Sequence, residues 1–130
     1  MENENLIFVY GTLRRGLSNH AQFLSDSEYI GTAKTVEKYA MYADGIPYVV
    51  TAEPHSIITG EVYRVNEQTL AEIDRLEGHP DYYFRVKVEI ILMNRERIMA
   101  WLYFCREKRG VLLKSGDFLD QVGENSPQEP

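Results

Sequence analysis

Glu77 is an acid at a position where packing would favour an apolar side chain. It closes the segment Asn66 to Gly78, in which Leu70, Ile73 and Leu76 recur at helical spacing as the expected core contacts. At about 100° per residue, Glu77 lies only about 20° from Leu70, while Glu72 and Asp74 project to the flanks and Arg75 lies nearly opposite. Burial on that face and the negative end of the helix dipole both disfavour the carboxylate, so both raise its pKa. An acid that titrates near neutrality can take and return a proton, as general acid/base chemistry requires. The same placement also suits a structural acid paired with Arg85 or capping a loop, and spacing alone leaves both readings open.

A second candidate is the loop Tyr10-Gly11-Thr12-Leu13, which leaves an apolar run and continues to Gly16. Backbone N–H groups in such a loop can converge on a carboxylate or other anion. As a pattern, a strand followed by a glycine turn is equally the signature of a plain connection. Tyr82, Tyr83, Trp101 and Tyr103 either line a pocket or fill the core.

Other reactive side chains lack partners at useful spacing. His20, His55 and His79 are scattered and have no metal-site pattern, so structural or surface roles are expected. Cys105 falls on an expected strand and reads as a small buried hydrophobe. Ser115-Gly116-Asp117 lacks the flanks of a hydrolase elbow, and Arg14-Arg15 reads as solvated surface.

The elements that must position these groups follow from periodicity. Leu6–Tyr10 and Ile57–Val65 are apolar strand-like runs, and Gly60 marks a bulge or a close backbone approach. Glu28–Tyr42 and Tyr48–Ala52 read as extended, with breaks at Asp44-Gly45 and at Pro47. Ser18 or Asn19 is expected to cap a short helix through Leu24. Asn66 is the expected cap of the helix Glu67–Glu77, stopped by Gly78 and Pro80. Phe84, Val86, Val88, Ile90 and Leu92 alternate with polar residues, and Ile98–Cys105 is the matching hairpin strand. A turn is expected within Lys114–Leu119. The expected fold class is α+β: a mixed, mostly antiparallel β-barrel-like sheet with one main helix and short flanking helices.

The chain of 130 residues is 44% hydrophobic and 26% charged, which suits one folded domain over residues 1–122. Residues 123–130 lack apolar content and read as a disordered tail. A formal charge of −6 would repel nucleic acid and anionic membrane, so neither is expected as a partner. The loose basic group Arg106, Lys108 and Arg109 does not alter that expectation. A single cysteine, a polar start and no long apolar run point to a cytoplasmic protein.

These features together resemble the γ-glutamylcyclotransferase-like family, which includes the γ-glutamylamine cyclotransferases. The resemblance rests on Val9-Tyr10-Gly11-Thr12-Leu13-Arg14-Arg15-Gly16 with Asn19-His20, on Thr59-Gly60-Glu61-Val62-Tyr63, and on Leu76-Glu77-Gly78-His79-Pro80 leading to Tyr83 and Arg85. It continues through Ala100-Trp101-Tyr103 to Ser115-Gly116-Asp117.

The resemblance implies a barrel with a cavity at one end, no metal and no organic cofactor. It implies that Glu77 is the catalytic acid/base and that Tyr10, Gly11, Thr12 and Leu13 bind the γ-glutamyl part of a small-molecule substrate. Tyr83, Arg85 and Tyr103 are further pocket candidates, Arg85 either orienting Glu77 or pairing with a substrate carboxylate. The implied reaction is cyclisation of a γ-glutamyl compound to 5-oxoproline, and the alternative is a non-catalytic protein that binds a small metabolite in the same cavity. The leaving amine and the oligomeric state are not specified by these motifs.

Overall fold

In the computed structural model, which describes residues 5–51, 53–107 and 110–119, seven strands and two helices are formed. The strands are β1 (Asn5–Val9), β2 (Glu28–Asp44), β3 (Ile46–Val50), β4 (Ser56–Val65), β5 (Tyr83–Leu92), β6 (Arg97–Cys105) and β7 (Val111–Leu112). The helices are α1 (His20–Leu24) and α2 (Glu67–Glu77). The expected tail 123–130, Lys108, Arg109 and Ala52 lie outside the described residues.

Five strands close on one another in the order β2-β4-β1-β6-β5, with β5 pairing back to β2. All these pairings are antiparallel except β1 with β6, where Ile7 pairs with Trp101 in parallel. The result is a mixed five-stranded barrel with two short helices. Closure depends on β2, whose register shifts between Tyr29 and Gly31 and between Lys34 and Lys38. Such irregularities bend a strand and increase its twist, so β2 can reach β4, β5 and, at its far end, β3 and β7.

Alternate residues of the central strands enter two cores. Phe8, Val62, Leu102 and Phe104 join the core inside the barrel. Ile7, Val9, Tyr63, Val65, Tyr103 and Cys105 face a second core shared with Leu24, Leu70 and Ile73 of the helices. Burial on both sides explains why Leu6–Tyr10 reads as a continuous apolar run. At Gly60 the backbone approach is close, since a Cβ there would lie 2.3 Å from the Val9 carbonyl oxygen.

Several local expectations need correction. Pro47 does not break the chain; it lies within β3, where it pairs with Ala43. That is an edge strand, on which a missing N–H is tolerated. Asn19 occupies the N-cap position of α1, but its side chain makes no cap and donates instead to Thr12 Oγ1 at 2.8 Å. Leu76 is 41% exposed, whereas Leu70 and Ile73 are buried. Leu76 stands about 120° from Leu70 around the helix, beyond the edge of the apolar stripe.

Candidate active site

The end of α2 is fixed by both of its caps. Asn66 accepts a 2.8 Å hydrogen bond from the Thr69 N–H, and Gly78 adopts a left-handed φ of 70° that returns its N–H to the last turn. The helix therefore stops on Glu77, whose side chain faces a cavity between the barrel end and β3. Burial pushes the Glu77 carboxyl from its ordinary 4.5 up to about 7. No hydrogen bond or ion pair to this carboxyl is found among the described residues. It is consequently able to exchange a proton near neutrality.

The cavity has a volume of about 60 Å3, several times the ~10–15 Å3 that one water requires. One wall is the end of β1 and the loop through Leu13; Ile46 and Pro47 of β3 form another. Tyr83 and Tyr103 complete it beside Glu77. Tyr10, Gly11, Thr12, Leu13, Glu77, Tyr83 and Tyr103, separate in sequence, thus meet around one space. Gly11 faces Pro47 so closely that a Cβ would lie 2.7 Å from Pro47 Cγ.

The three tyrosines differ in how their hydroxyls are engaged. Tyr10 donates to the Tyr103 carbonyl at 2.7 Å, and Tyr103 donates to Asp74 Oδ1 at 2.5 Å. Among the described residues, the Tyr83 hydroxyl makes a single long bond, donating to the Pro47 carbonyl at 3.4 Å. Burial, with the nearby Glu77 charge contributing, raises all three phenols above their ordinary range, so they remain protonated donors.

Arg85 is placed elsewhere. Its Nε and Nη2 donate to the two Asp74 carboxylate oxygens at 2.8 and 3.0 Å, and its guanidinium lies 4.2 Å from the Trp101 ring centre. It does not line the Glu77 cavity and does not pair with Glu77. Asp74 lies about 40° from Leu70 on the helix, on the side away from Ile73 and so at the flank of the apolar stripe.

The loop after β1 is held from several sides. Asn19 donates through its side chain to Thr12 Oγ1 and through its N–H to the Thr12 carbonyl, while His20 Nδ1 lies 3.1 Å from the Leu13 carbonyl. Arg14, expected at the surface, is only 4% exposed and forms ion pairs with Glu61 at 3.2 Å and Asp117 at 2.9 Å. Arg15 is exposed and stacks over Tyr29 at 4.0 Å. The sequence reading missed Ile46, Pro47, Asp74 and Glu61. For Glu61 the available signal was an acid inside the apolar β4 run.

The weaker candidates stay apart from the cavity. Cys105 is buried in the second core, and Ser115 hydrogen-bonds locally around Asp117. No group of three His, Cys, Asp or Glu suited to a metal ion occurs among the described residues. No helix among them is long and apolar enough to cross a membrane.

The family described as Gamma-glutamyl cyclotransferase, AIG2-like, matches residues 7–120. The chain belongs to this AIG2-like γ-glutamyl cyclotransferase family. A Methanocaldococcus jannaschii relative, whose γ-glutamylcyclotransferase name is provisional, is 57% identical over 117 residues, covering 90% of this chain and 98% of its own. The Rattus norvegicus γ-glutamylaminecyclotransferase is 35% identical over 104 residues, 73% of this chain and 65% of that protein. The crystal structure of a Mus musculus AIG2-like protein has a TM-score of 0.73 at 29% identity, covering 79% of this chain and 78% of that one. The barrel and helices described above are thus those of the AIG2-like fold.

Proposed function

We propose that the protein cyclises a γ-glutamyl compound to 5-oxoproline and releases the free amine, with Glu77 as the proton carrier. The observation that supports this best is a carboxyl with no hydrogen-bond or ion-pair partner among the described residues, pushed by burial to about 7, facing a cavity beside the Tyr10–Leu13 loop. In the reaction, ionised Glu77 takes a proton from the substrate α-ammonium group. The neutral amine then attacks the γ-carbonyl carbon and forms the new C–N bond of a five-membered ring. As the tetrahedral centre collapses, the old C–N bond breaks and protonated Glu77 returns its proton to the departing nitrogen. The carboxylate then takes the second proton from the ring nitrogen and passes it to the released amine, which leaves as its ammonium ion. No water is consumed and the carboxylate is regenerated.

The enzyme's other task is to fold a flexible glutamyl chain so that amine and carbonyl meet, a positioning gain that reaches about 7–11 kcal/mol in well-oriented intramolecular reactions. In this reading the Tyr10–Leu13 loop holds the γ-glutamyl part, and the weakly engaged Tyr83 hydroxyl supplies a donor within the cavity. Among the lining residues there is no lysine or arginine, since Arg14 and Arg85 are turned into their own ion pairs. The wall residues Ile46 and Pro47 are apolar. A leaving amine without a carboxylate fits such a wall better than an amino acid does.

The test is incubation of the purified protein with γ-glutamyl amines and γ-glutamyl amino acids, followed by measurement of 5-oxoproline. Release from the amines, and slower release from the amino acids, is expected. Tight binding without any product would overturn the catalytic reading in favour of a metabolite-binding protein.

A further inference from the structure

Glu61 lies within β4, beside the point where β1 ends. It pairs with Val9, the last residue of β1, across the β1–β4 ladder. Although 7% exposed, it is fully engaged: Tyr63 Oη and the Arg15 N–H each donate to Oε1 at 2.9 Å, and Arg14 Nε donates to Oε2 at 3.2 Å. Arg14 Nη1 reaches on to Asp117 Oδ1 at 2.9 Å. None of these groups lines the cavity.

A buried ion pair is a poor way to gain stability, because desolvation offsets most of its attraction and apolar residues of similar size often serve as well. Its geometry, however, specifies position. Two of the three donors to Glu61 come from consecutive residues that directly follow Leu13. The start of the loop is set by β1, and its end is set by this carboxylate. Between those two points lie the four residues facing the cavity.

We propose that Glu61 is a positioning residue: through the Arg14 side chain and the Arg15 N–H, it holds the Tyr10–Leu13 loop in the shape that receives the γ-glutamyl part of the substrate. The role rests on the reading of the cavity as a γ-glutamyl site, and it acts without contact with the reacting atoms.

Glu61→Gln keeps the size of the side chain but removes the charge that faces Arg14. Arg14→Lys keeps the charge but loses the fork that reaches Glu61 and Asp117 together. Each variant is compared with wild type in the full chain by amide hydrogen exchange and by steady-state kinetics of 5-oxoproline release. The Arg14, Leu17 and Asn19 amides, which donate within the loop, should exchange about tenfold faster or more, a loss in keeping with a hydrogen bond to a charged group. The Ile73 amide in α2 should keep its wild-type rate. KM should rise by about tenfold or more, while the pH midpoint of kcat stays in place.

Loop amides at wild-type rates, with KM unchanged, would overturn the proposal. So would an even loss of protection across α2 and the barrel, which marks a purely structural role. Should Glu61→Gln not fold, Arg14→Lys decides by the same comparison. Wild-type protein that releases no 5-oxoproline from any γ-glutamyl compound would defeat the reading of the cavity, and the clamp is then judged by loop exchange alone.

Discussion

Asp74 and Glu77 stand three residues apart on α2, yet their carboxyl groups are held in opposite protonation regimes. Burial acts to raise Asp74, but hydrogen bonds from Arg85 and Tyr103 outweigh it and leave this acid below its ordinary range. Glu77 has the burial without the donors and is pushed up to about 7. One helical turn therefore carries a fixed charge and a movable proton side by side.

Glu77→Gln retains the side-chain size and removes the titratable proton. With Glu77 as proton carrier, kcat should fall about 10²–10⁴-fold, while affinity for 5-oxoproline changes little. Turnover and calorimetric binding on one preparation check this, and full turnover in the variant would sink the assignment.

The stability of the fold should depend on pH in a way traceable to the same residue. Glu77 titrates higher in the folded than in the unfolded chain, so its favourable contribution is complete below about 4.5 and is lost as pH rises through about 7. The span corresponds to roughly 3 kcal/mol at about 1.4 kcal/mol per pH unit. Thermal melts at pH 5 and pH 8 should therefore show Glu77→Gln gaining on wild type at pH 8. An equal difference at both values would contradict the raised pKa.

Gly11 tests the cavity wall. Its φ is not left-handed, so the obstacle to a larger residue is the Pro47 ring at 2.7 Å from a Cβ. Gly11→Ala should raise KM or lower kcat, and adding Pro47→Ala, which removes the offending Cγ, should restore much of the loss. Kinetics of the single and double variants measure the coupling. Lack of any restoration would place the Gly11 effect outside this contact.

Arg85→Ala separates a structural from a substrate-binding role. Asp74 would lose two hydrogen bonds, and the fold about 1–3 kcal/mol. Because Asp74 contributes as an anion, its stabilisation is present above its ordinary 3.8 and is lost as pH falls through the lower folded value, so the gap between variant and wild type should narrow in acid. KM for γ-glutamyl amino acids should stay near wild type. A large and selective rise in that KM would return Arg85 to the substrate.

Much of the site was legible because it depends on local pattern. Asn66, the apolar pair Leu70 and Ile73, and Gly78 fix α2 as Glu67–Glu77, and the same periodicity turns Glu77 inward. The alternation from Phe84 to Leu92 likewise marks β5 and its partner β6. What was not legible depends on residues distant in the chain. Arg14 is buried by acids 47 and 103 positions away, and no local period reports such a pairing. Arg85 was placed near Glu77 because both follow one motif, but Asp74 competes for it with two oxygens at the right spacing. Leu76 was misplaced by counting apolar residues without following their drift around the helix.

Among the described strands, β3 pairs only with β2 and takes no part in the five-strand closure, yet it supplies Ile46 and Pro47 to one wall of the cavity. That wall and the frame are thus built from different material. Substitutions at Ile46 and Pro47 change this wall, while Tyr83 and Tyr103 belong to the β5–β6 ladder and Glu77 to α2. Divergence at these two positions would alter the cavity without touching the strands that close the barrel, whereas Tyr48, Val49 and Val50 of the same strand are buried.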